Sequence, residues 1–225
     1  MTPPNPNDKI LSYGDVVLRR SDLEILRSPF FINDRLIEFY FTHLSSSHPS
    51  AATRKGRLLL VPPSISFWLS NCPNTPSRTE VATPLGLQGR DLVLFTVNNN
   101  DDLTMAEGGS HWSLLVYERG DNVFVHHDSC NGMNNHHARH MYDAVKSFFG
   151  GDTRFMVWRT PQQRNGYDCG VYVMAVARVI SNWFENGKEG DEKWLKKLEM
   201  EVHEEAVASL RLELLDLIAS LRGRE

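Results

Sequence analysis

The strongest constraint in this sequence is a run that is apolar almost all round, from Cys169 to Phe184. A helix without a polar face must be covered on every side, so this segment is expected to run through the middle of the molecule. It cannot span a bilayer instead, because its most apolar part, Val171 to Ile180, carries Arg178 and is far shorter than the ~20 residues a span needs. With 225 residues, 41% hydrophobic and 23% charged, the chain can bury such a core without disulfide or metal staples and is too apolar to be mainly disordered.

The segments that would cover this helix alternate in type. Ser21 to Leu26 reads as a short helix with Ser21 as N-cap, and Asn33 to Leu44 carries Leu36, Ile37, Phe39, Tyr40, Phe41 and Leu44 at helical spacing. Asp91 to Val97 reads as a buried strand. Trp112 to Tyr117 and Asn122 to His127 read as a hairpin turned by Arg119-Gly120-Asp121-Asn122, and Phe155 to Trp158 as a further short strand. His137 to Phe149 reads as a helix stopped by Gly150-Gly151, and Lys193 to Leu221 as one or two amphipathic helices. Strands in the middle with helices at both ends predict an α+β class. The organisation expected is a disordered stretch over residues 1–9 and one domain over 10–225. Its surface loops are placed at Ser45 to Gly56, Asn71 to Gly89 and Asn98 to Ser110.

Charge narrows the function. There are 24 Lys+Arg against 28 Asp+Glu, a net −4 with no basic block, which argues against general nucleic-acid binding. The N-terminal Met-Thr-Pro-Pro-Asn-Pro lacks the apolar stretch of a signal peptide. Cys72, Cys130 and Cys169 are an odd set with no secretory context, so free thiols in an intracellular, reducing compartment (cytoplasm, nucleus or both) are expected.

Two places can carry chemistry. In the hairpin, a two-residue Gly120-Asp121 turn puts His111 opposite position 130, with Asp128 two residues away on the same face and within side-chain reach. A three-residue loop would place them on opposite faces. An Asp holding one imidazole nitrogen fixes the tautomer and supports the imidazolium; taken alone, the two residues read rather as ordinary polar groups at strand ends. The second place is Gln163-Arg164-Asn165-Gly166-Tyr167-Asp168-Cys169-Gly170, a turn leading to a Cys that opens the apolar helix. Free N–H groups and the dipole at a helix N-terminus favour thiolate and can hold an oxyanion, and Gln163 can add a donor. The plainer reading is a buried structural Cys. Together the two places supply the roles of a cysteine acyl-transfer enzyme. A run of His126, His127, His136, His137 and His140 lacks the Glu or Cys partners of a zinc site, so no metal is expected and the run reads as a solvated helix start.

Three motifs in this order closely resemble the Ulp/sentrin-specific cysteine proteases, which cleave ubiquitin-like modifiers: Gly109-Ser110-His111-Trp112-Ser113, His127-Asp128-Ser129, and Gln163-Arg164-Asn165-Gly166-Tyr167-Asp168-Cys169-Gly170. The likeness runs from about Ile10 to the C-terminal helices. It is greatest to the branch acting on the Nedd-type (RUB) modifier, through Leu11-Ser12-Tyr13, Leu18-Arg19-Arg20-Ser21-Asp22, Ile32-Asn33-Asp34 and Leu94-Phe95-Thr96-Val97-Asn98. The resemblance implies a papain-like α+β fold with a central mixed sheet flanked by helices. It implies His111 as base, Asp128 as its partner, Cys169 as nucleophile and Gln163 as oxyanion donor. It also implies Trp112 and Phe31 as walls of a channel for a Gly-Gly tail, with Asp34 and Asn98 reading that tail. Phe31 stands where relatives commonly carry Trp, so the channel is expected to be slightly wider. The partners implied are the modifier and its protein conjugates, with no cofactor, no nucleic acid, no membrane and a monomeric chain. The rival readings are SUMO or ubiquitin as the modifier, an acyltransferase on the same His-Asp-Cys plan, and a non-catalytic modifier-binding module.

Overall fold

The computed structural model describes residues 5–47, 57–105, 108–186 and 194–223. The expected central helix, α6 (Cys169–Glu185), is buried along nearly its whole length, including Cys169, Met174, Ala177 and Ile180. It packs on one face of a five-stranded sheet built from β3 (Leu58–Val61), β4 (Leu92–Asn98), β5 (Trp112–Glu118), β6 (Val123–His127) and β7 (Arg154–Trp158), in that spatial order. The outer pairs β3–β4 and β6–β7 are parallel and the inner pairs antiparallel, so the sheet is mixed, as an α+β fold allows.

Both faces of the sheet are covered, which is why β4 and β5 read as continuous apolar runs rather than alternating ones. Leu92, Leu94, Leu114, Val116, Val123 and Val125 face α6 together with α2 (Asp34–Ser47), α7 (Trp194–Glu201) and α8 (Glu204–Arg222). Val93, Phe95, Val97, Leu115, Tyr117 and Phe124 face α3 (Pro63–Asn71) and α5 (Asn135–Val145).

Several local expectations change. Asn5 to Lys9, expected to be disordered, form a turn and enter strand β1 (Lys9–Tyr13), which pairs with β2 (Val16–Arg19); the Pro6 and Asp8 carbonyls accept from Ser21 and Arg20. Residues 1–4 lie outside the described residues. Ser21 is not the cap of α1 (Arg20–Arg27). Arg19 holds that position, and the Asp22 carboxylate reaches back to its N–H at 2.7 Å. Asn71 to Gly89 is not one loop but contains α4 (Thr75–Ala82), capped by Asn74 with a proline in its first turn. Proline is tolerated there because the first-turn N–H has no helical partner to lose. Of the loop expected at Ser45 to Gly56, Ser45 to Ser47 belong to α2 and residues 48–56 lie outside the described residues.

Candidate active site

The hairpin register decides whether His111 and Asp128 can meet. Leu114 pairs with His127 and Glu118 with Val123, the register of a two-residue turn, with Asn122 at φ 50° closing it. His111, just before β5, and Asp128, just after β6, therefore share a face, and the imidazole Nε2 lies 2.7 Å from Asp128 Oδ1. Both are almost fully buried. The carboxylate also accepts from the backbone N–H of Cys130 and of Asn134, each at 2.8 Å. Burial alone would raise the Asp128 pKa, but the His111 bond and these two N–H groups outweigh it and hold the carboxyl below the usual range.

Cys169 occupies the first position of α6 and hydrogen-bonds the same imidazole. With Nε2 committed to Asp128, Nδ1 is the ring nitrogen left for the thiol. Burial disfavours a charged His111, but its bonds to Asp128 and Cys169 and their charges more than offset that, and its pKa is pushed up to about 9. The other thiols differ. Burial pushes Cys72 up, and burial with the nearby Asp128 and Cys169 charges pushes Cys130 up. Cys169 alone combines a helix N-terminus with an imidazole partner.

The turn before Cys169 is tied internally. Asn165 Oδ1 accepts from the Tyr167 and Asp168 N–H groups, and its Nδ2 donates to Asp168 Oδ2 at 2.6 Å. Gln163 is fixed in orientation: Oε1 accepts from Ser129 Oγ at 2.8 Å and Nε2 donates to the Asn165 carbonyl at 2.8 Å. An amide nitrogen carries two hydrogens, so one donor remains.

The four residues expected to bind substrate, Phe31, Asp34, Asn98 and Trp112, line one cleft of about 700 Å³ that includes His111. Trp112 Nε1 donates to the Ile32 carbonyl at 3.0 Å, which fixes one wall to the segment carrying the other. Gly170 brings α6 against Ile32 so closely that a Cβ there would lie 2.6 Å from Ile32 Cβ. Gly109, at φ 80°, lies where a Cβ would run into the Asn98 amide, so both glycines are required by close approach. Asn98 Oδ1 accepts from Asn100 N–H, and Asn99 Oδ1 from the Ser110 and His111 N–H groups. The Asn-rich loop is thus a set of side-chain-capped turns, with residues 106–107 outside the described residues.

Sequence reasoning missed Asn134. It is fully buried, and its Nδ2 reaches the Val97 and His111 carbonyls at 3.2 Å and Ser113 Oγ at 3.1 Å, while its N–H holds Asp128. It also missed Trp68, Leu103 and Met105, exposed apolar side chains on the cleft rim. The His run is not one solvated helix start. His126 and His127 are buried at the end of β6, held by Ser113 and Asn135 and by Thr160 and Trp194, and burial drops their pKa values to about 4 and about 3. His136, His137 and His140 sit on α5, with His137 against Asp101. Among the described residues, no cluster of three or more His, Cys, Asp or Glu is placed to hold a metal.

Comparison with known proteins agrees with this geometry. Residues 91–210 match the family described as Ulp1 protease family, C-terminal catalytic domain. The chain is 49% identical over 219 residues to NEDD8-specific protease 1 of Arabidopsis thaliana, covering 96% of this chain and 94% of that one. It is 32% identical to sentrin-specific protease 8 of Homo sapiens, covering 80% and 85%. The fold is similar to the X-ray structure of the C-terminal Ulp1 protease domain in complex with Smt3, the yeast ortholog of SUMO, with TM-score 0.67, 18% identity and coverage of 97% and 90%. Since the matched segment carries His111, Asp128 and Cys169 together, and the likeness to the plant relative runs almost end to end, this chain belongs to the Ulp1 family of cysteine proteases.

Proposed function

We propose that the chain cleaves after the C-terminal Gly-Gly of a ubiquitin-like modifier of the NEDD8 (RUB) type, releasing either a precursor extension or a lysine amine. The observation that carries this reading is the cleft, lined by Phe31, Trp112 and His111, together with the interaction of His111 with Cys169. A Gly-Gly tail has no side chains and lies flat between aromatics where bulkier residues would clash, so shape alone excludes most proteins.

Cys169 thiolate attacks the carbonyl of the terminal Gly. Gln163 Nε2 and the Cys169 backbone N–H receive the oxyanion. The intermediate collapses as His111 gives its proton to the leaving amine, and water, deprotonated by His111, then hydrolyses the thioester. Asp128 holds the ring in place throughout and stabilises it whenever it carries the second proton. Asp34 and Asn98 contact the tail, and a broad apolar rim at Trp68, Leu103 and Met105 meets the folded body of the modifier. The choice of a NEDD8-type modifier is supported by the likeness to proteins named as NEDD8-specific.

The test is reaction with NEDD8-type, SUMO and ubiquitin modifiers carrying a C-terminal thiol-reactive warhead, read by intact mass, with Cys169→Ala as control. A rapid adduct with the NEDD8-type probe, lost in the control, is the result expected. An adduct with SUMO or ubiquitin alone would overturn the modifier, and no adduct with any would overturn the peptidase.

A further inference from the structure

Arg211 of α8 lies one residue beyond the segment that matches the family, and it is only 8% exposed. Its guanidinium uses every N–H within the protein. Nε donates to Asp168 Oδ1 at 2.7 Å. One terminal nitrogen donates to the Ile25 and Ser28 carbonyls at 2.9 and 3.2 Å, the other to the Phe30 and Tyr167 carbonyls at 2.8 and 3.5 Å. Arginine carries five such donors in a rigid fork, and here five acceptors meet them.

The acceptors come from two places. Ile25, Ser28 and Phe30 belong to the end of α1 and to the strap that leads into Phe31 and Ile32. Tyr167 and Asp168 immediately precede Cys169. Packing anchors the strap at its far end, where Ile32 is buried, but Phe30 and Phe31 before it are 56% and 52% exposed. Between α1 and Ile32 its path rests on main-chain bonds from Arg211 at Ser28 and Phe30, and Trp112 bonds the carbonyl of Ile32 itself. An ion pair that merely anchored α8 would need none of these carbonyls, and α8 is already docked through Val207, Leu210, Leu214 and Ile218.

We propose that Arg211 is a positioning residue, resting on the peptidase reading above, which sets the channel wall at Phe31 against the nucleophile at Cys169. Affinity for the modifier comes mainly from its folded body, whereas attack depends on where the tail lies relative to the sulfur. Loosening the strap therefore lowers kcat and leaves KM alone.

Full-length Arg211→Lys and Arg211→Ala are compared with the parent on a NEDD8-type modifier bearing a C-terminal aminocoumarin amide, and on alkylation of Cys169 by iodoacetamide, which reads the thiol without a modifier tail to align. Lysine keeps the charge but cannot reach five acceptors. For Arg211→Lys, kcat falls about tenfold to a hundredfold while KM and the alkylation rate stay within about twofold. Added ethylguanidinium restores part of the kcat of Arg211→Ala and leaves the parent unchanged. If the Ala variant does not fold, Arg211→Lys decides. A lowered melting temperature with parental kcat and KM would reduce Arg211 to an anchor for α8 and overturn the proposal, and so would equal losses in cleavage and alkylation. A parent that is alkylated at Cys169 but cleaves no modifier would instead overturn the peptidase reading, and the positioning role with it.

Discussion

Gly170→Ala tests how tightly the nucleophile helix and the channel wall are coupled. Helix propensity alone favours the change, since Ala is better than Gly in a helix by about 0.5–1 kcal/mol. Packing opposes it. The new Cβ would sit 2.6 Å from Ile32 Cβ, 3.1 Å from its Cγ2 and 3.4 Å from its Cγ1. Carbon atoms rest at about 3.5–4.0 Å, so the Ile32 segment must retreat by about 1 Å. Ile32 is 1% exposed and has no room to do so freely. Overpacking of a filled core costs about 1–3 kcal/mol, so packing outweighs propensity and the net loss is about 1–2 kcal/mol. That lowers the melting temperature by about 4 °C for a domain of this size. The larger effect is on activity, because the Ile32 carbonyl that moves is the one that holds Trp112, and Phe31 is its neighbour. A misplacement of about 1 Å is enough to cost about a hundredfold, so kcat/KM toward the modifier substrate falls by roughly that factor. Thermal unfolding and steady-state cleavage measure both. Adding Ile32→Ala removes the Cγ contacts but leaves Cβ, so it does not restore activity. A Gly170→Ala protein with parental stability and parental kcat/KM would refute the reasoning.

Titration supplies the next predictions. His111 has its pKa raised to about 9, so kcat/KM falls as pH rises through about 9 and the leaving-group acid is lost; Asp128→Asn removes the main support of the imidazolium and moves that limb to lower pH in a rate profile. The sign is opposite for His126 and His127, whose folded pKa values are lowered to about 4 and about 3. The unfolded chain takes up these protons first, near pH 6.5, so stability drops as pH falls from about 6.5 toward 4, by up to about 1.4 kcal/mol per pH unit for each His, read by urea unfolding at fixed salt. Asn134→Ala removes a buried donor shared by the Val97 and His111 carbonyls and Ser113 Oγ, leaving the His111 carbonyl its Asn99 N–H partner, and costs about 1–3 kcal/mol, with a fall in kcat as His111 loses part of its support; a variant with parental unfolding midpoint and kcat would remove Asn134 from the site's framework.

The parts of the site that local chemistry specifies were legible in the sequence. Gly120-Asp121 set the hairpin register, and the register put His111 and Asp128 on one face. The all-round apolar run located α6, and with it the helix start that carries Cys169. Residues whose role depends on distant partners were not legible. Asn134 looks like any turn asparagine until Val97 and His111 are brought to it, and Arg211 like any charge on an amphipathic helix until α1 lies beside it. His126 and His127 were misread because a strand covered on both faces buries polar residues as readily as apolar ones, and only their bonding partners reveal that. The α4 helix is hidden by the prolines in and around it, Pro73, Pro76 and Pro84, which read as breakers although Pro76 sits in the first turn, with Asn74 as cap.

The bonds from Arg211 to Ile25, Ser28 and Phe30 join residues 181 to 186 positions apart. A ribosome adds residues in order, so a nascent chain whose β5, β6 and start of α6 have already emerged holds His111, Asp128 and Cys169 while the guanidinium that braces the strap has yet to be made. The order of synthesis therefore separates the three motif residues from the residue that braces the strap, which comes only with the last helix. A stop codon or frameshift between α6 and Arg211 would leave a product that carries every motif residue yet lacks the brace.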